Sequence, residues 1–155
     1  MVVDVRNIPR SRTNPQFNLD SLPAALAGYG IGHVRIAELG GLRGRSPTVP
    51  PEVNGFWRNR GFHNYADYAL SETFDAGLER LLELGVVDRC AIMCAEAVWW
   101  RCHRRIIADY LMLRDRTVFH LMDPGRAEPA RMTPGAVASG RALTYPATES
   151  VAARV

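Results

Sequence analysis

Cysteine, histidine and charged side chains are concentrated in one short stretch of the chain, CAIMCAEAVWWRCHRR. Cys94 and Glu96 follow an apolar run, and Cys102, His103 and Arg104 come a few residues later. A thiolate is a strong nucleophile, and a neighbouring histidine or carboxylate can carry the proton that the thiol releases. The stretch therefore predicts a thiol-based reaction centre. Cys94 is the predicted nucleophile, Glu96 or His103 the proton carrier, and Cys102 lies near the start of the next helix.

Two other interpretations of this stretch stay open. Free cysteines are often small buried residues of the core, which would make Cys94 structural. Zinc is the other alternative, because Cys94, Cys102 and His103 are all zinc-ligand types. A fourth ligand could come from one of three further histidines: His33, His63 or His120. The paired cysteines of compact zinc motifs are separated by about two to four residues, a spacing that Cys94 and Cys102 do not have, so we predict no metal and no cofactor.

The basic residues predict an anionic partner. All nineteen of them are arginine, whose planar fork suits phosphate and carboxylate groups. The candidate anion-binding residues are Arg6, Arg10, Arg12, Arg58 and Arg104. An ion pair between Arg6 and Asp4 is the alternative for the first of these. The net charge of +3 permits an anionic small molecule or a nucleic acid as partner and requires neither.

Aromatic residues alternate with arginine in the segment GFWRNRGFHNYADY. This interleaving suits stacking on bases combined with phosphate contacts, and Trp57 and Tyr65 are the candidate platforms. A loop pinned to the core by its aromatic side chains is the alternative. Two function hypotheses follow. The first is a thiol-dependent enzyme acting on an anionic, nucleotide-like substrate, and the second is a non-enzymatic module that binds nucleic acid or nucleotides.

Strands that alternate with helices position these residues in the predicted fold. The alternation predicts a single α/β domain over residues 1–122, with a central, mostly parallel sheet and helices on both faces. Residues 123–155 read as an irregular tail packed on the same domain, with one late strand at 142–145. The predicted strands are 2–5, 33–37, 90–94 and 117–121, and the predicted helices are 21–27, 63–70, 71–85 and 102–113.

The predicted sheet also places the site. Ligands of such sheets bind beyond the carboxyl ends of the strands. We therefore expect Arg6, Arg58, Cys94 and Glu96 to line one crevice. The run from Cys90 to Cys94 carries no charge, so we expect it to be a fully buried central strand.

The class of protein follows from what the sequence lacks. No run approaches the roughly 20 apolar residues that span a bilayer, and the first residues do not resemble a signal peptide. Three cysteines, an odd number, favour free thiols over a disulfide framework. These features predict a cytoplasmic protein without a membrane partner.

Four motifs, in order, resemble the bacterial proteins grouped as domain of unknown function 488. They are DVRNIPRSRTNPQFN, ELGGLRGR, WRNRGFHNYADY and CAEAVWWRCHR, and the tail HLMDPGRAEPARMTPGA is similar to the same group. The resemblance covers nearly the whole chain. It implies a compact α/β fold, supplies no reaction, and points to the residues singled out above.

The chain differs from this group in two ways, and the first of them predicts self-association. Its members usually begin with a strand and helix that include a Thr-Ile-Gly-His-like start, and this chain begins at the next strand. Ala130 also stands where similar members often carry histidine. An uncovered strand edge and apolar face favour association. We therefore expect this chain to self-associate more readily than one extended upstream by a strand and a helix.

Overall fold

A three-stranded parallel sheet organises the first two thirds of the chain. The computed structural model describes residues 1–147. Strand β1 (Val2–Asp4) lies between β2 (His33–Arg35) and β3 (Ala91–Met93). Both pairings are parallel, and Val3 is the central residue of each. The chain is thus a mixed α/β protein built on a small parallel sheet.

The predicted central position of the third strand is wrong. Among the described residues β3 pairs with β1 alone, so β3 is an edge of the sheet. Its three residues are partly exposed, whereas Val3 and Val5 are fully buried at and just beyond β1. An uncharged run indicates contact with the core, but it does not determine how many strands flank it. The central position belongs to β1 because both of the other strands hydrogen-bond to it.

Four helices connect and follow these strands. They are α1 (Leu22–Ala27), α2 (Arg60–Tyr68), α3 (Glu72–Val87) and α4 (Arg104–Leu113). The side chain of Asn59 caps α2, and that of Ser71 caps α3, by accepting hydrogen bonds from free backbone N–H groups of the first turn. Helix α3 continues past Gly85, the predicted stop, and ends two residues later. Over residues 1–147, no helix has both the length and the apolar character that a bilayer crossing requires.

One apolar cluster joins the sheet to the two long helices. Val3 of β1, Phe74 and Leu78 of α3, and Ile106 and Ile107 of α4 all belong to it and are fully buried. The apolar spacing in the sequence predicts that Phe74 and Leu78 of α3, and Ile106 and Tyr110 of α4, face inward, and their burial confirms this. The members of each pair are four residues apart, which aligns them on one side of their helix.

Two antiparallel hairpins complete the described chain. The fourth predicted strand is present as β4 (Phe119–Asp123). The prediction that it joins the parallel sheet is wrong, because it pairs with β5 (Arg126–Pro129) in a separate antiparallel hairpin. Strands β6 (Val137–Ser139) and β7 (Ala142–Thr144) form the second hairpin. Gly125 and Gly140 have positive φ angles of 79° and 58°, and such glycines in tight turns favour hairpins over crossovers.

The segment after Asp123 is therefore more regular than predicted. It contains three strands, and the late strand predicted at 142–145 is confirmed at Ala142–Thr144. Residues 148–155 of the predicted tail lie outside the described part of the chain.

Buried polar groups tie these last strands to α4. The carboxylate of Asp109 accepts a hydrogen bond from the Thr133 N–H at 2.9 Å and another from the Tyr145 hydroxyl at 3.0 Å. The Tyr145 N–H donates in turn to the side chain of Asn54 at 3.0 Å. Burial raises the pKa of Asp109, and the hydrogen bonds to its carboxylate oppose that rise.

Candidate thiol centre

Two sulfur atoms and one imidazole nitrogen meet at the carboxyl end of β3. Cys94 directly follows that strand, whereas Cys102 and His103 directly precede α4. Nδ1 of His103 lies 3.6 Å from Sγ of Cys102 and 4.0 Å from Sγ of Cys94. All three atoms lie within 4.8 Å of one another. The segment between the two cysteines loops out and returns, which makes neighbours of residues that the sequence separates.

The electrostatics of the centre favour a negative charge on Cys102. The thiol of Cys94 donates a hydrogen bond to its sulfur, which lowers the pKa of Cys102 to about 6 against the effect of burial. Arg104 adds to this effect, since its Nε lies 3.2 Å from the same sulfur. The pKa of Cys94 is raised to about 12, first because Cys94 is the donor to Cys102 and then because it is buried.

The two thiols are hydrogen-bonded to each other and therefore titrate as a pair. Within the pair the pKa of Cys102 is lowered, and that of Cys94, the predicted nucleophile, is raised. Cys102 is only 2% exposed, and Cys94 is partly exposed. The more exposed sulfur therefore belongs to Cys94, whereas the sulfur with the lowered pKa belongs to Cys102. A hydrogen bond joins the two thiols.

Gly41 lies against the imidazole of His103. A Cβ atom at position 41 would be 2.7 Å from Nδ1 and 3.0 Å from Cε1 of that ring. Any larger residue would have to displace the ring from the sulfurs. Sequence reasoning did not assign Gly41 to the site, although the adjacent glycines in ELGGLRGR were an available signal.

Two tyrosines of α2 hold the turn that precedes Gly41. The hydroxyl of Tyr65 donates to the carbonyl of Leu39, and that of Tyr68 donates to the carbonyl of Glu38, both at 2.7 Å. The ring of Tyr65 also lies 4.8 Å from that of His103. Helix α2 thereby fixes both the histidine and the glycine beside it.

Arg43 holds the same turn from the other side. Its guanidinium lies over the ring of Tyr68, 3.8 Å from the centroid, and its Nε donates to the carbonyl of Gly40 at 2.8 Å. Arg43 was not among the predicted anion-binding residues, and these contacts make it a positioning residue for the turn.

Trp57 and Tyr65 do not form the predicted stacking surface. Trp57 is 6% exposed and Tyr65 is 1% exposed. The Trp57 ring stacks on Phe62 with centroids 4.8 Å apart, and it meets Tyr145 edge-on. Both rings belong to the apolar core, which leaves neither with a free face for a base. The alternative of a loop pinned by its aromatic residues describes this segment better.

Arg6 is part of a buried ion pair. Its Nε and Nη2 donate to the two carboxylate oxygens of Asp4 at 2.9 and 2.6 Å, and the arginine is 5% exposed. The backbone around Arg6 does lie at the same end of the sheet as Cys94, because the N–H of Val5 donates to the carbonyl of Met93. The guanidinium itself is committed to Asp4 and is not a free anion clamp.

The remaining predicted residues are dispersed. Glu96 is exposed, and only its backbone contacts the centre: its carbonyl accepts from Arg104, and its N–H donates to Cys94. Arg10 and Arg12 are exposed in the loop after β1. Arg58 lines a separate cavity of about 210 Å³ together with Arg45 and Arg60. That cavity includes neither Cys94 nor Glu96, so the structure does not form the single crevice that we predicted.

None of the other histidines reaches the sulfurs within residues 1–147. His33 lies 3.8 Å from the carboxylate of Asp4, and His63 lies 3.7 Å from that of Asp67. His120 stacks on Trp99 with a centroid separation of 4.0 Å. The cysteine–histidine cluster therefore has three members.

The fold and this cluster define a class: an α/β protein with a thiol–imidazole centre at the carboxyl end of a parallel sheet. The family described as Domain of unknown function DUF488 matches residues 1–111, and the chain belongs to it. The resemblance noted in the motifs is thereby confirmed. Neither the curated proteins nor the solved structures gave a match. The family description names no reaction, so function has to be argued from the site itself.

Proposed function

We propose that the protein is a thiol-dependent enzyme that acts on an anionic, nucleotide-like substrate. One observation carries the proposal: the sulfurs of Cys94 and Cys102 both face Nδ1 of His103, at 4.0 and 3.6 Å, while Arg104 donates to Cys102 at 3.2 Å. Nucleophile, proton acceptor and charge stabiliser are thus adjacent, which is the arrangement that nucleophilic catalysis needs.

The geometry divides the chemical roles between the two cysteines. Cys94 is the partly exposed thiol, so its sulfur attacks the electrophilic atom of the substrate. The proton of Cys94 passes to the thiolate of Cys102, with His103 beside both. The bond to the leaving group then breaks, and the proton held by Cys102 returns to that group. No oxidant or reductant is needed, because the step is a group transfer.

The preference for an anionic substrate rests on nearby cations. Arg104 contacts the sulfur of Cys102, and the loop that begins after β1 at the same edge of the sheet carries the exposed Arg10 and Arg12. These guanidinium groups would attract and orient a phosphate or carboxylate. The chemistry requires reduced thiols, so we also propose that the protein functions in the cytoplasm.

Alkylation of the metal-free, reduced protein tests the proposal. Iodoacetamide at pH 7, followed by mass spectrometry, gives a rate for each cysteine. We expect Cys94 to react faster than a model thiol, because the two sulfurs titrate as a pair that holds one thiolate at pH 7 and Cys94 is its more exposed member. Cys102→Ser should slow Cys94 by at least about tenfold, because the pair and its lowered pKa are lost. Cys90→Ser is the matched control and should leave the rate unchanged. An ordinary rate for Cys94 in the unmodified protein would refute the proposal.

A second candidate function, nucleic-acid binding, is favoured by the cavity around Arg45, Arg58 and Arg60. None of the three makes an ion pair with another described residue. Binding of single-stranded RNA should then weaken with salt, and Arg58→Gln should reduce the salt slope by about one. Cys102→Ser should leave that binding intact, which separates this candidate from the enzyme.

A further inference from the structure

We propose that Cys94, Cys102 and His103 form a binding site for one thiophilic divalent cation, of which Zn²⁺ is the representative. Two sulfurs and an imidazole nitrogen are the ligand atoms that zinc prefers in proteins. All three lie within 4.8 Å of one another although they come from two different elements of the fold. The binding part of this inference does not depend on the enzyme proposed above.

The distances between the ligand atoms fit a tetrahedral ion. Zinc binds sulfur at about 2.3 Å and nitrogen at about 2.0–2.1 Å, which places a sulfur and a nitrogen of one tetrahedron about 3.6 Å apart. Nδ1 of His103 lies 3.6 Å from Cys102 Sγ and 4.0 Å from Cys94 Sγ. A movement of about 0.4 Å at Cys94 would bring its sulfur to the tetrahedral distance from Nδ1.

The surroundings of the ligands also suit a metal. Nε of Arg104 donates to Sγ of Cys102 at 3.2 Å, which is the kind of outer hydrogen bond that orients a metal ligand. Gly41 and Tyr65 hold the His103 ring in place from two sides, as described above. The site is therefore formed by the fold before any ion arrives.

The site offers three protein ligands and an open fourth position. Within residues 1–147, no other histidine, cysteine or carboxylate belongs to the group. Sites with three protein ligands take water or a substrate atom as the fourth. Cys94 and His103 are partly exposed and Cys102 is buried, so the open position faces away from Cys102.

Metal binding would also regulate the thiol centre, and this part rests on the proposed function. A bound cation occupies both sulfurs and displaces the proton that they share. The cation draws electron density from the sulfur of Cys94, which makes it a weaker nucleophile, and Cys102 can no longer accept the proton. Zn²⁺ should therefore inhibit the thiol chemistry reversibly, and a chelator should restore it.

Titration with Co²⁺, followed by competition with Zn²⁺, tests the site in the full-length, reduced, metal-free protein. We expect one equivalent of Co²⁺ to give a thiolate-to-cobalt absorption band that Zn²⁺ abolishes. Cys94→Ser, Cys102→Ser and His103→Gln should each weaken Zn²⁺ binding more than about 100-fold, since even the loss of outer partners costs about 10–100-fold. Cys90→Ser is the matched control and should bind as tightly as the unmodified protein.

The remaining outcomes separate the two proposals. Zn²⁺ should protect Cys94 and Cys102, but not Cys90, from alkylation. Absence of the cobalt band would refute the proposed metal site. The same conclusion would follow if Cys90→Ser weakened Zn²⁺ binding as much as the ligand variants do. A cobalt band together with ordinary Cys94 reactivity would overturn the enzyme and leave the site standing. Where a cysteine variant fails to fold, Gly41→Ala serves instead: it keeps every ligand, displaces His103, and should weaken Zn²⁺ binding.

Discussion

Cys102 is nearly inaccessible to solvent and yet is the thiol whose pKa falls, to about 6. Burial alone would favour the neutral thiol, so the donors aimed at its sulfur decide the outcome. Cys94 supplies one of them, and Arg104 supplies another through Nε. At the scale of single residues, the lowered pKa of Cys102 thus depends on the hydrogen-bond donors that surround its sulfur.

Replacing Arg104 should therefore weaken the centre without removing a thiol. We expect Arg104→Gln to slow alkylation of Cys94 at pH 7 several-fold, because the thiolate that takes its proton loses a charged donor. The neighbouring exposed Arg101 provides the control, and Arg101→Gln should leave the rate unchanged. Equal effects of the two variants would show that only the general positive charge matters.

His120 gives a prediction about pH. Burial lowers its pKa first, and the charge of Arg104 lowers it further, while Glu128 on the paired strand opposes this. The unfolded chain therefore takes up the proton more readily than the folded chain. Stability should be greatest above about pH 6.5 and should fall as the pH drops from there through the lower folded-state pKa.

The His120→Phe variant checks this expectation. It keeps a flat ring against Trp99, 4.0 Å away in the native stack, and removes the titrating group. Melting temperatures at pH 7.5 and pH 5 should then differ less in the variant than in the unmodified protein. An identical pH dependence in both would rule out His120 as the cause.

At the scale of elements, the site depends on a turn that carries no catalytic group. The 3₁₀ turn Ala37–Leu39 is held by Tyr65 and Tyr68 of α2, and it delivers Gly41 to the face of His103. The start of α4 and the turn after β2 therefore both contribute to the position of the His103 imidazole.

Gly41→Ala tests the role of this turn. Its added Cβ would lie 2.7 Å from Nδ1 of His103, so the ring has to leave its native position beside the sulfurs. We expect alkylation of Cys94 to slow toward the rate found in Cys102→Ser. Gly44→Ala is the control from the same loop, because nothing lies within 4 Å of a Cβ there. If both variants react like the unmodified protein, the position of His103 has no influence on the thiols.

At the scale of the whole molecule, α4 joins the thiol centre to the end of the described chain. Its first residue, Arg104, contacts Cys102, and Asp109 one turn later binds Thr133 and Tyr145. The last hairpin is thus anchored to the same helix that presents the site.

Removal of the Asp109 carboxylate should destabilise the whole fold. Asp109→Ala leaves two buried donors, the Thr133 N–H and the Tyr145 hydroxyl, without their acceptor. Since each unsatisfied buried group costs about 1–3 kcal/mol, we expect a loss of at least about 2 kcal/mol in urea unfolding. Glu83→Ala, at an exposed position of α3, should change stability by less than about 0.5 kcal/mol. A similarly small loss for Asp109→Ala would show that the hairpin is not anchored there.

Local patterns determined the elements of this protein. The apolar spacing of Phe74 and Leu78 in α3, and of Ile106 and Tyr110 in α4, predicted both helices and the side that each buries. Helix and strand periodicity are properties of neighbouring residues, so the sequence carries them directly. Four ordered motifs also identified the family. The stretch from Cys94 to Arg104 was singled out for its reactive residue types, and three of its residues, Cys94, Cys102 and His103, lie together in the fold.

Only the tertiary structure decided how these parts combine. It placed β1 rather than β3 at the centre of the sheet, and it turned β4 into a hairpin with β5. It committed Arg6 to Asp4, coupled the thiols of Cys94 and Cys102, and brought Gly41 against His103. Spacing along the chain argued against a zinc knuckle, yet folding brings the two sulfurs and Nδ1 within 4.8 Å of one another. Such contacts join residues far apart in sequence, and their energies depend on burial and direction, which no local pattern encodes.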